Sequence, residues 1–507
     1  MEPYLLTYIV FLPAAVALPI LFIQEETAVR WVTLATTAVV FMMTVALYVK
    51  LPLTGLPPGS WLVFEDRAWI EPFGIRYSLG LDGLSLVLVM LTGLMFTLSV
   101  AASWNAVKER VPFFHFMLLT METGVLGVFL STDLFLFYLF WEVMLIPMFF
   151  IIGVWGHGRR VYSAVKFFIY TVSGSLLMLL AIVGLYVIHA DKTGVHTFAI
   201  DSLAGTHPTG TAGLVLFGAF LLAFAVKVPL FPLHSWLPDA HTDAPTAGSV
   251  ILAALLLKTG TYGLMRVGFP LFPEAAAASA PLLFGVGLAG LYYASWIAFA
   301  QEDIKRLVAY SSIGHLAIVV MGIAAWNETA LAGSALQMVN HGISTGALFI
   351  MVGMLDERTH TRDISAFGGL WTKAPALSAF FLLFIISSSG LPGLNNFAGE
   401  FLVFAGVFRD HPLVAAGAFG GIVVSLIYLL MLAQKLLFGP AMGKGEFGDL
   451  TARELAVLVP LAALVVVLGV YPKLVLDPVA SPVHDLVNIF GVSASSVSGA
   501  IAGGGAP

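Results

Sequence analysis

Six ionisable side chains sit in apolar surroundings where a chain seldom keeps charge. Glu142 lies within Phe135–Ile152, Lys227 within Leu221–Pro232 and Lys258 within Ile251–Gly260. His315 lies within Ser311–Ala317, His341 within Gln337–Ala347, and Glu400 follows the run Leu391-Pro392-Gly393-Leu394-Asn395-Asn396-Phe397-Ala398-Gly399. Two carboxylates, two ammonium groups and two imidazoles are the groups that take up and release protons. A charge in the middle of a bilayer costs at least about 2.5–3.5 kcal/mol, so each needs a reason to persist. One isolated pair could simply hold two helices together. A series on separate segments is more than pairing requires, and it suits a path for protons. Glu122, within Leu118–Val128, is a further carboxylate with no evident role. His234 and His241 suit proton entry and loop capping equally.

The elements that must position these groups are membrane helices. The chain has 507 residues, of which 59% are hydrophobic and 10% charged, and its mean hydropathy is +0.97. Soluble domains carry roughly 25% charged residues, and a single soluble core stops growing near roughly 250–300 residues. Apolar sequence on this scale is buried in lipid. About fourteen segments reach the roughly 20 residues that a spanning helix needs. They lie near 4–22, 28–49, 81–103, 111–130, 133–153, 163–189, 213–238, 244–268, 277–300, 305–325, 331–355, 374–409, 413–438 and 453–471. Residues 1–491 are read as one all-α polytopic membrane domain and 492–507 as a flexible Gly/Ala/Ser-rich tail. Met1-Glu2-Pro3-Tyr4 lacks a basic leader region, so the first segment is expected to be retained as a span. Glu142 follows Asp133 by nine residues, which at 1.5 Å per residue places it about 14 Å deep.

Basic residues orient the helices. Odd-numbered loops hold fourteen of the 23 Lys and Arg, including Arg30, Lys108, Arg160, Lys305 and Arg362. Even-numbered loops and the tail hold seven, and Lys227 and Lys258 complete the count. Cytoplasmic loops carry the basic excess, so both termini are expected on the periplasmic side of a bacterial inner membrane. No basic block suggests nucleic acid. Cysteine is absent, which excludes disulfides, cysteine nucleophiles and iron–sulfur ligation by this chain.

Two spans are expected to be broken. Pro229 and Pro232 remove backbone donors in Lys227-Val228-Pro229-Leu230-Phe231-Pro232 and free the carbonyls of Ala225 and Val228. Pro392 does the same for Ser388 in Ser387-Ser388-Ser389-Gly390-Leu391-Pro392-Gly393. Irregular backbone at membrane depth persists only where protein or a wet cavity surrounds it. Interrupted spans in two halves point to a transport site, and here the breaks fall in the seventh and twelfth segments, each beside an ionisable residue.

The motifs Phe140-Trp141-Glu142-Val143-Met144-Leu145-Ile146-Pro147, Lys227 through His241, Tyr310-Ser311-Ser312-Ile313-Gly314-His315 and Asn340-His341-Gly342-Ile343 resemble the antiporter-like membrane subunits of respiratory complex I. The same motifs occur in Mrp-type sodium/proton antiporter subunits and membrane-bound hydrogenases. Gly399-Glu400-Phe401, with a glutamate where most relatives look lysine-bearing, resembles the branch called NADH-quinone oxidoreductase subunit M. The resemblance runs over nearly the whole chain. It implies two inverted five-helix repeats, spans 4–8 (111–268) and 9–13 (277–438), with spans 7 and 12 broken. It also implies a proton-translocating subunit in which Glu142, Lys227, Lys258, His315, His341 and Glu400 form a relay in the membrane plane. NADH, FMN, iron–sulfur clusters and quinone would then belong to partner subunits, among them two related antiporter-like subunits. A subunit of a Mrp-type sodium/proton antiporter or of a membrane-bound hydrogenase, a passive membrane scaffold and a solute-uptake protein are the competing readings.

Overall fold

The computed structural model describes residues 4–55, 57, 59–440 and 447–503, with side chains as far as Ile489. It is a helical membrane fold. Among the described residues twelve helices are long and apolar enough to cross a membrane. Two shorter apolar helices, Leu5–Ile20 and Pro375–Ser388, occupy the first expected segment and the first half of the twelfth. The tail expected over 492–507 falls on the last helix, Lys473–Gly503, and, at 504–507, outside the described residues.

The helices differ in how much of their surface other helices cover. Thr246–Leu271, Ile304–Ala325 and Glu328–Thr359 are buried over 94%, 94% and 100% of their most apolar windows, whereas Glu26–Lys50, Pro412–Phe438 and Ala452–Val470 reach 33%. The outer helices can therefore turn large apolar side chains such as Trp31, Leu413 and Phe419 outward, as lipid permits. The wrapped helices carry Lys258, His315 and His341. Polar groups in hydrocarbon must find partners inside the protein, and these three helices supply that interior.

Both expected breaks are present. Helix Gly210–Lys227 stops at Lys227, and the chain resumes as the short helix Trp236–Asp243. Helix Pro375–Ser388 stops before Gly390 and Gly393, both at positive φ, and resumes as Asn395–Asp410. The backbone repairs each break in the same way. Leu230 N donates to Ala225 O at 2.8 Å, and Leu391 N donates to Ile386 O at 3.2 Å, each bond spanning one residue more than an α-helical bond. The Ala225 carbonyl that Pro229 was expected to free is thus occupied. The carbonyl that needs an outside donor is Val226, which receives the Trp236 indole N–H at 2.9 Å.

Two features differ from the sequence reading. The fifth segment is not one smooth helix: it turns at Met144 between Leu134–Val143 and Leu145–Trp155. Pro147 has no N–H to offer the carbonyl of Val143, which loosens the turn just after Glu142. The joint Leu51–Gly80 also contains structure. Val63–Ile70 pairs antiparallel with Ile75–Leu81, and Gly74 at φ 67 makes the turn. Its alternation is partly masked by the charged edge residues Glu65, Asp66 and Arg67.

One small motif occurs twice. Leu134 N donates to Phe198 O at 2.8 Å and Ile200 N to Thr132 O at 2.9 Å; Ile304 N donates to Arg362 O at 2.9 Å and Ile364 N to Glu302 O at 2.8 Å. Asp133 and Asp303 cap the helices that follow. Five spanning helices separate the two bridges. An odd number of crossings places them on opposite faces of the bundle.

Candidate functional site

Lys227 ends its helix at the first break, 1% exposed. Among the described residues its Nζ has no hydrogen-bond partner. The ammonium lies 5.2 Å from the Trp141 ring centroid and 5.9 Å from that of Phe167, faces that attract a cation. Glu142 follows Trp141 directly and acts electrostatically on Lys227, and its buried Oε1 has no partner among the described residues. The two charges therefore couple through space without a fixed hydrogen bond, which leaves their strength sensitive to small movements. The break is packed on the next helix at Gly260, where a methyl would sit 3.1 Å from Lys227 Cβ. Gly260 lies two residues from Lys258.

Lys258 follows a widened turn, Leu252–Leu256, in helix Thr246–Leu271. Its Nζ donates to Ala253 O at 2.5 Å and lies 2.6 Å from His341 Nδ1. The rings of His341 and His315 are 5.8 Å apart between centroids. His315 Nδ1 is 2.7 Å from Glu400 Oε1. Four of the six residues picked from the sequence thus form one file, Lys258–His341–His315–Glu400, drawn from four helices. At its other end Lys227, on which Glu142 acts, packs against Gly260, two residues from Lys258. The Nε2 atoms of both histidines have no partner among the described residues. Each ring therefore keeps one nitrogen engaged and one free, the arrangement a proton-passing imidazole needs.

Glu400 is held by residues that sequence reasoning passed over. Gln337 Nε2 donates to Glu400 Oε1 at 3.1 Å and to Asn396 Oδ1 at 3.0 Å. The helices that carry Gln337 and Glu400 touch at Gly399, where a methyl would lie 3.0 Å from Gln337 Cα. Asn340 and Asn395 exchange side-chain to backbone hydrogen bonds, 2.6 and 3.2 Å, and Asn396 donates to Ser344 Oγ at 2.8 Å. This clasp ties the second break to helix Glu328–Thr359. A signal for it was present: Gln337, Asn340, His341 and Ser344 recur at helical spacing on one face.

Among the described residues the remaining candidates make no hydrogen bond to the file. His234 packs between Phe231 and Tyr293, with ring centroids 5.6 and 5.0 Å away. Glu122 is fully buried, and among the described residues neither carboxylate oxygen has a partner. His241 is fully buried, stacked on Phe349.

A family profile described as "NADH:quinone oxidoreductase/Mrp antiporter, TM" matches residues 131–427. NADH-quinone oxidoreductase subunit M of Pseudomonas aeruginosa is 45% identical over 486 residues, covering 94% of this chain and 96% of that protein. The chain belongs to this family, on its subunit M branch. Subunit M of Escherichia coli K12 is 42% identical over 474 residues, 91% of this chain and 93% of that one. Among solved structures, a chain of respiratory complex I from Thermus thermophilus with bound NADH superposes with a TM-score of 0.86 at 30% identity, covering 96% of this chain and 99% of that one. The helices of this chain are thus matched nearly end to end by those of a chain of respiratory complex I.

Proposed function

We propose that this chain is a proton-translocating membrane subunit of NADH-quinone oxidoreductase. It resides in the bacterial inner membrane with both termini on the periplasmic side and adjoins the related antiporter-like subunits. NADH, FMN, iron–sulfur clusters and quinone belong to the partner subunits, which supply the redox free energy. The paired bridges at Asp133 and Asp303 support two inverted repeats, 111–268 and 277–438, because an inverted repeat places equivalent loops on opposite faces.

The observation that carries this reading is the file Lys258–His341–His315–Glu400, with its 2.6 and 2.7 Å contacts across helices. Burial disfavours a lysine's charge, and a carboxylate nearby favours it. When a neighbouring subunit weakens the hold of Glu142, Lys227 releases its proton toward Lys258. His341 and His315 pass it on, and Glu400 is the terminal site. A unit charge moved across 100 mV costs about 2.3 kcal/mol, a magnitude that separation of charges in a low-dielectric interior can supply.

The test is NADH-driven proton uptake by everted membrane vesicles carrying Lys258→Met. Uptake should be lost while the complex stays assembled on a native gel and pumping by the parent stays independent of sodium. Normal uptake by the assembled variant rejects the relay, and sodium-dependent uptake favours a cation antiporter.

A further inference from the structure

Arg266 lies eight residues past Lys258 in helix Thr246–Leu271, about 12 Å further along its axis. Its side chain is 18% exposed and that of Asp82 8% exposed, and Nη1 lies 2.9 Å from Asp82 Oδ2. The guanidinium also lies 4.6 Å from the centroid of the Trp61 ring and reaches the hydroxyl of Tyr262. Tyr262 falls midway between Lys258 and Arg266, and its hydroxyl donates to Phe129 O at 2.9 Å. The charges of Asp201 and Asp485 act on the same guanidinium. A planar fork that pairs with a carboxylate and stacks on an indole is specific to arginine.

The ion pair is more than the neighbouring elements need. Asp82 caps helix Gly83–Ala102 with its other oxygen, which accepts from Ser85 N at 2.8 Å and from Ser85 Oγ at 3.0 Å. The base of the hairpin is closed by Leu62 N, which donates to Leu81 O at 2.7 Å. Trp61 lies on Gly80, where a methyl would meet its ring at 2.6 Å. What Asp82 Oδ2 adds is a hold on the helix that carries Lys258. That helix has two widened turns, Leu252–Leu256 and Leu264–Gly268, on either side of Leu257–Gly263. Widened turns of this kind occur often at functional sites. Lys258 stands at the start of the enclosed segment, and Arg266 stands in the outer widened turn.

We propose that Arg266 is a positioning residue for translocation: paired with Asp82, it sets the register of the segment Leu257–Gly263 and so holds Lys258 against His341. The proposal rests on the translocation reading above. A segment between two widened turns is free to slide or rotate, and the 2.6 Å contact of Lys258 Nζ with His341 Nδ1 tolerates little of either. A second contact reports the same register. Thr261 Oγ1 lies 2.8 Å from Met338 Sδ, on the helix that carries His341.

The experiment uses the assembled complex in everted vesicles. Arg266→Gln and Asp82→Asn should each lower NADH-driven proton uptake per assembled complex several-fold, and Arg266→Lys, which keeps the charge but not the fork, should recover part. Asparagine keeps an oxygen to cap helix Gly83–Ala102, so Asp82→Asn decides if Arg266→Gln fails to assemble. Acting as one unit, the two changes together should cost no more than the worse one alone. Register is read separately. The chain has no cysteine, so Thr261→Cys with Met338→Cys places two thiols at that contact, and the unsubstituted complex gives the baseline for partner cysteines. Oxidative cross-linking of this pair should fall when Arg266→Gln or Asp82→Asn is added. Parent uptake per assembled complex in both single variants overturns the proposal, as does full additivity of the two losses or unchanged cross-linking. Lys258→Met separates the two ideas, because cross-linking needs no proton movement. Normal uptake by assembled Lys258→Met rejects translocation by the relay and with it a role for Arg266 in pumping. Lost uptake there beside unchanged cross-linking in the Arg266 and Asp82 variants rejects the positioning role and leaves the relay.

Discussion

His315 Nδ1 and Glu400 Oε1 lie 2.7 Å apart although 85 residues separate them in sequence. One comes from a helix wrapped on all sides and the other from the second half of a broken one. The same carboxylate oxygen also accepts from Gln337 Nε2. Glu400 thus has fixed donors on one oxygen, and its Oε2 faces the break, 3.4 Å from where a methyl on Gly390 would lie.

This geometry makes Glu400→Gln a discriminating substitution. Glutamine keeps the size and can still meet His315 and Gln337, but it cannot take up a proton. Proton uptake should fall strongly in an assembled complex, while Glu400→Lys, which titrates, should keep part of it. Wild-type uptake with glutamine would show that Glu400 serves only to pin the broken helix.

At the other end, Lys227→Ala should abolish most pumping and lower coupled NADH:quinone turnover without loss of assembly. Glu142→Ala should act in the same direction, and Glu142→Asp should be milder because a charge survives near Lys227. Quinone reduction and proton uptake, read on the same vesicles, check all three. A scaffold role predicts the opposite pattern, with failed assembly and unchanged turnover per assembled complex.

Close packing at Gly399 gives a prediction about positioning. A methyl there would crowd Gln337 Cα at 3.0 Å and also its side chain. Overpacking of this kind costs about 1–3 kcal/mol. Gly399→Ala should therefore lower the thermal stability of the solubilised complex and reduce uptake, although no titratable group has changed. Unaltered uptake would mean that the helix Asn395–Asp410 can shift without disturbing the Glu400 contacts.

Asp133 supplies a pH dependence outside the spans. Burial pushes its carboxyl up to about 6, outweighing the backbone N–H groups of Leu136, Arg76 and Phe135 that favour the carboxylate. The folded form holds this proton more tightly than the unfolded chain. The associated stability is present in full below the unfolded value and is lost as pH rises through about 6. Asp133→Asn, which keeps an acceptor for the cap but cannot ionise, should flatten that part of the stability profile between pH 4 and roughly 7. Thermal unfolding of the complex across this range reads the difference; identical profiles for parent and variant would show that Asp133 does not titrate there.

The sequence by itself determined the membrane class, because so few charges cannot cover so much apolar surface. It also placed the two breaks, since proline lacks a donor and glycine tolerates positive φ whatever surrounds them. It marked Glu142, Lys227, Lys258, His315, His341 and Glu400, because an ionisable group in an apolar run stands out locally. Only the tertiary structure decided which of these meet. Lys258 reaches His341 across 83 residues, and that contact depends on how helices pack, which composition along one helix does not encode. It also decided that Trp236 satisfies Val226, that Gln337, itself bonded to Asn396, holds Glu400, and that Lys305 is buried with its Nζ on Ala244 O. A basic residue just past a loop reads as an ordinary surface charge until the neighbouring helices close over it.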